Sequence, residues 1–115
     1  MVISNEELLK RVRKVFSRRK NISEKRMFGG HCFFANGNMI GGVTGDGELI
    51  IRVGPDVYED ALGHQHSRKM DFTGRPMRGF VVVEEAGFES DADLKFWLNR
   101  GHDYAKSLPP KPTAK

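Results

Sequence analysis

The chain has 115 residues, 38% of them hydrophobic and 30% charged, with a formal net charge of +4, the profile of one globular domain with a single core. No apolar run approaches the ~20 residues that span a bilayer, and the N-terminal MVISNEELLKRV lacks the basic and apolar regions of a signal peptide. The lone cysteine, Cys32, excludes an internal disulfide, so a reducing cytoplasm is the expected compartment.

The first element reads as an amphipathic helix. Ser4 and Glu7 have capping-box spacing, and Ile3 and Leu8 occupy the positions of a hydrophobic staple. Leu8, Leu9, Val12, Val15 and Phe16 form one apolar stripe, while the other faces are basic. Lys10, Arg11, Arg13, Lys14, Arg18, Arg19, Lys20, Lys25 and Arg26 concentrate positive charge here. A solvated face and the helix dipole account for much of it, and a footprint for an acidic partner is the alternative.

From Arg26 the period becomes that of strands. RMF and HCFF flank Gly29-Gly30, which predicts a bulge or tight bend. Asn36-Gly37 is a strong hairpin signal because both residues tolerate positive φ, and MIGGVT returns from it, with Gly41 and Gly42 leaving gaps that a neighbour fills. Gly45-Asp46-Gly47 turns the chain again. In residues 48–53, Leu49, Ile51 and Val53 alternate with Glu48, Ile50 and Arg52, as a sheet with one buried face requires.

Pro55 is placed to open a short helix, with Val57, Tyr58, Ala61 and Leu62 facing inward and Gly63 as its C-terminal stop. HQHSRK reads as a polar loop, and GFVVVEE as a β-branched strand. The last helix starts at Ser90, with Asp93 at the capping distance. Leu94, Trp97, Leu98, Gly101, Tyr104, Ala105 and Leu108 line one side, and Pro109-Pro110 ends it before a frayed tail, 109–115. The expected fold is α+β: one domain over 1–115 with its core in about 4–108, and an antiparallel sheet covered on one face by the terminal helices.

RMFGGHCFFANGNMIGGV, LIIRVGPDVYEDAL, MDFTGRPMRGFVVV and DLKFWLNRGHDYAKSLPPK occur in that order, and together they resemble the N-terminal domain of the TfoX/Sxy family from about Glu6 to Lys111. The resemblance implies the order α-β-β-β-α-β-β-α, of the kind seen in type III secretion chaperones. It also implies a link to regulators of natural competence that act with the cyclic-AMP receptor protein. Those regulators carry a second, helical C-terminal domain, whereas this sequence ends at Lys115, so a stand-alone domain is expected and transcriptional activation does not carry across.

Asp71, Thr73, Arg75 and Arg78 form the most suggestive polar group. An enzyme site needs a nucleophile or base, a partner for it and an oxyanion donor, and no such constellation is legible, so no catalytic residue is expected. Thr73-Gly74 and Pro76 read as turn chemistry, which leaves Arg75 and Arg78 as candidate partner contacts. His64 and His66, with His31, Cys32 and His102 elsewhere, make only one loose pair where structural zinc sites use two, so neither a metal nor another cofactor is expected. Cys32 reads as a small buried hydrophobe. The aromatic residues read as core rather than as base-stacking platforms, and the methionines as gap-fillers between strands.

The expected function is therefore a non-enzymatic regulatory or protein-interaction domain, with a second copy among the candidate partners. The alternative is a nucleic-acid-binding accessory protein using Arg18, Arg19, Lys20, Lys25 and Arg26, with salt-sensitive binding. No membrane partner is expected.

Overall fold

The amphipathic stripe forms helix α1 (Asn5–Phe16), in which Leu8, Leu9, Val12 and Phe16 are buried. A computed structural model of the protein describes residues 5–27, 29–45, 47–70 and 79–110. The expected pairings of Ser4 with Glu7 and of Ile3 with Leu8 each involve a residue outside the described ones, as do Asp46 and the tail beyond residue 110.

Strands β1 (Ile22–Met27), β2 (Gly30–Ala35), β3 (Asn38–Val43) and β4 (Leu49–Arg52) form an antiparallel meander. The β2–β3 hairpin turns on Asn36 and Gly37, with φ of 52° and 82°. Both dihedrals are positive, as a two-residue hairpin of matching twist requires. A bulge interrupts the β2–β3 pairing between Phe33 and Phe34. Backbone fills the gap at Gly41, where a Cβ would lie 2.1 Å from the Ile50 carbonyl oxygen.

Helix α2 (Tyr58–Leu62) then leads to β5 (Ser67–Lys69) and β6 (Phe80–Val83). The sheet order is β1-β2-β3-β4-β6-β5, so the chain passes out to the far edge and returns to pair β6 with β4. Four strands, not three, precede α2. Ser67–Lys69, expected within a loop, instead forms an edge strand. Among the described residues it pairs on one side only, with Val81 to Val83 as its partners, which a short polar segment can do without hydrophobic alternation.

Three further expectations are corrected around α2. Pro55 precedes the helix rather than opening it, and Val57 is 38% exposed. Gly63 does cap the helix, but at φ −74° and ψ −13°, a right-handed conformation open to any residue.

After a 3-10 turn (Glu85–Gly87), helix α3 (Asp91–Ser107) completes the fold. The Ser90 hydroxyl accepts the Asp93 amide at 3.0 Å, satisfying one of the donors left free at a helix start. Helices α1 and α3 pack together over one face of the sheet, burying Ile40, Leu49, Ile51, Val81 and Val83. Each such side chain contributes about 1.5–3 kcal/mol by leaving water. The helix approaches the sheet closely at Gly101, where a Cβ would lie 2.5 Å from the Ile40 carbonyl oxygen. On the opposite face, the paired row Cys32, Gly42, Ile50 and Val82 is buried too. Ile50, expected on an open face, is thus 7% exposed.

Candidate functional site

Arg75 and Arg78 lie outside the described residues, together with Asp71 and Thr73. The five basic residues of the nucleic-acid reading all lie among the described residues. Lys25 pairs with Cys32 and Arg26 with His31 across β1 and β2, and adjacent strand residues face opposite sides of a sheet. Arg18, Lys20 and Arg26 are exposed.

Arg19 is engaged within the fold. Its guanidinium donates to Asn99 Oδ1 at 2.6 Å and to His102 Nδ1 at 2.7 Å, with its carbon 5.4 Å from the Phe16 ring centre. A guanidinium only donates, so His102 Nδ1 accepts and the imidazole is neutral. Burial holds the His102 pKa below its ordinary value, reinforced by the charges of Arg19 and Lys106. Arg11 donates to the carbonyl oxygens of Phe88 and Glu89. Arg13 forms a two-point pair with Glu24 that holds the Glu24 carboxyl below its usual range, mainly through the hydrogen bond. Much of the basic helix thus fastens the fold together.

A cleft of about 340 Å3 opens where three segments meet. The α2–β5 connection supplies His64, Gln65 and His66, the 3-10 turn supplies Ala86 and Gly87, and α3 supplies Asp93, Phe96 and Trp97. Positions 93, 96 and 97 recur at helical spacing and so share one side of α3. Trp97 is 3% exposed, whereas Phe96 is 39% exposed. The rings of His64, Phe96 and Trp97 form a triangle with centres 5.3 to 5.4 Å apart, in the tilted and edge-on arrangements that aromatic quadrupoles favour.

A guanidinium already rests against this cluster. Arg100 stands 4.8 Å from the Phe96 ring centre and 5.9 Å from that of Trp97. Its Nη2 donates to Asp60 Oδ2 at 2.6 Å, and His64 Nε2 lies 3.6 Å from the same oxygen. The Arg100 hydrogen bond and charge lower the Asp60 pKa. Asp93 forms no ion pair among the described residues.

His64 and His66 thus belong to the cleft wall, and among the described residues no three His, Cys, Asp or Glu side chains are grouped to hold a metal ion. Cys32 is buried, and burial pushes its thiol pKa up, away from the thiolate that does chemistry. Phe16, Phe33 and Phe88 are core residues, unlike Phe96.

Sequence reasoning treated His102 and Phe96 only within wider groups and passed over Asn38 and Arg100. Asn38, 1% exposed, donates to the carbonyl oxygens of Ala105 and Pro109 at 3.3 and 3.0 Å. No local pattern signals a bond across 67 residues. The spacing of Asp93, Phe96 and Arg100 along one predicted helix was the available signal for the cleft.

No described helix is long and apolar enough to cross a membrane. No curated protein and no solved structure matches the chain significantly. A family model described as the TfoX N-terminal domain matches residues 14–105, from within α1 almost to the end of α3. With four-fifths of its length matched, the chain belongs to the TfoX N-terminal domain family.

Proposed function

We propose that this protein is a non-enzymatic interaction module, a regulatory domain that engages another protein through the cleft between the α2–β5 connection and α3. The observation that carries this reading is Phe96. A large aromatic side chain stands 39% exposed at the edge of a packed three-ring cluster, on a helix anchored to the core by Leu94, Trp97 and Leu98. Aromatic side chains fixed on a rigid element and rimmed by polar groups are favoured anchors in protein recognition. Family membership supports the regulatory sense, because competence regulators carry this type of domain.

Affinity capture with the full chain, run beside Phe96→Ala, tests the reading. A protein partner retained by the wild type and lost by the variant is the expected outcome, with light scattering deciding whether that partner is a second copy. Equal retention by both forms, or none by either, refutes it.

The exposure of Arg18 and Lys20 favours a second reading, nucleic-acid binding by the end of α1. Retardation of DNA or RNA that weakens steeply with salt and is lost in Arg18→Glu/Lys20→Glu supports this alternative. No retardation at low salt ends it.

A further inference from the structure

We infer that the cleft recognises an arginine side chain of its protein partner, held between the exposed Phe96 ring, which Trp97 backs, and the Asp93 carboxylate. This inference rests on the interaction reading above and names the chemistry of its ligand.

Three observations converge on it. The rings already hold a guanidinium, since Arg100 stacks against Phe96 and Trp97 while pairing with Asp60. An aromatic face with a carboxylate beside it is the combination that favours a planar cation. Asp93 brings a second carboxylate to the same two rings, three and four positions before them on α3, and it lines the cleft with them. It is exposed, and no ion pair among the described residues engages it. The local charge has the matching sign: residues 84–93 include Glu84, Glu85, Glu89, Asp91 and Asp93 and no lysine or arginine. Of these five, Glu84 meets Arg68 and Asp91 meets Arg11.

Other ligand classes fit less well. An anion drawn to the start of α3 meets this acidic field, and the Asp93 amide is already bonded to Ser90 Oγ. A purely apolar side chain leaves Asp93 without a role. Arginine fits better than lysine because its flat guanidinium stacks on a ring and still presents N–H groups to a carboxylate.

The chain has a single tryptophan, and it lines the cleft, so intrinsic fluorescence reads occupancy directly. The full-length protein is titrated with acetyl-Ala-Arg-Ala-amide and with the same tripeptide carrying citrulline, an uncharged near-isostere, or lysine. The arginine peptide is expected to bind roughly tenfold more tightly than the citrulline peptide. Asp93→Asn and Phe96→Ala are each expected to weaken it several-fold, and the amide shifts of 15N-labelled protein should centre on residues 93–97 and 64–66. Asp93 is exposed on the surface of α3, so Asp93→Asn keeps the fold, which circular dichroism checks.

Equal binding of arginine and citrulline peptides, an unchanged affinity in Asp93→Asn, or shifts centred elsewhere overturns the inference. So does occupation of the cleft by a second copy that the arginine peptide fails to displace. A captured partner that the arginine peptide does not displace refutes this inference and leaves the interaction reading standing. Arginine-selective, Asp93-dependent peptide binding without any captured partner does the reverse.

Discussion

One substitution made at two glycines should shift stability in opposite directions. At Gly101 the added methyl group would lie 2.5 Å from the Ile40 carbonyl oxygen, 2.9 Å from Ile40 Cγ2 and 3.2 Å from Ile51 Cγ2. The nearest of these atoms belongs to the backbone of a paired strand, so α3 itself must lift. Overpacking of this kind costs about 3 kcal/mol at the upper end of its range, against roughly 1 kcal/mol gained from replacing glycine in a helix. The net loss is about 2 kcal/mol, a fall in Tm of roughly 8–10 °C for a domain of this size. At Gly63, φ is −74°, and a Cβ meets only carbonyl oxygens of its own turn, at 3.3 and 3.7 Å. Gly63→Ala restricts the unfolded chain and should stabilise by about 0.5 kcal/mol. Urea and thermal melts followed by circular dichroism measure both. A Gly101→Ala protein as stable as wild type would refute the close packing of α3 on β3.

His102 is held neutral, with a pKa lowered by burial and by Arg19 and Lys106. The unfolded chain then binds more protons than the folded one as pH falls below about 6.5, so stability should drop from pH 7.5 to pH 5. In His102→Gln this part of the dependence should disappear, and an unchanged slope in paired urea melts argues against the buried neutral imidazole. Asn38→Ala removes both bonds to the end of α3 and should cost about 2–3 kcal/mol. Amide exchange at residues 104–108 should quicken with it, and unaltered protection there would contradict the anchor. Cys32, buried with a raised thiol pKa, should react with a thiol reagent far more slowly in native protein than in urea; rapid stoichiometric labelling of the native chain would count against its placement.

The elements legible in the sequence were those whose cause is local. Asn36-Gly37 specifies its turn through dihedrals that few other residues accept, and Ser90 specifies a helix start through a hydroxyl and an amide three residues away. Leu49 and Ile51 declare a buried face by alternation alone. Ile50 shows where that logic stops: a central strand can be covered on both sides, and its own residues do not say so. β5 is implied by the resemblance but not legible in its own residues, because an edge strand of three polar residues needs only the carbonyls and amides of β6, which any sequence can supply. The cleft was harder still. Its walls come from three segments separated by loops, and the Arg100 that rests on its rings finds Asp60 across 40 residues, a distance at which pattern carries no information.

The pairing of α1 with α3 also bears on how the protein is made. The sheet face formed by Ile40, Leu49 and Ile51 is complete in sequence by the end of β4, but its main cover is the last helix. At a translation rate of roughly 5–20 residues per second, the growing chain carries this aliphatic surface with only α1 to cover it for several seconds before α3 is made. The sheet is therefore expected to mature only once α3 has been made, and until then to expose aliphatic surface that is prone to association.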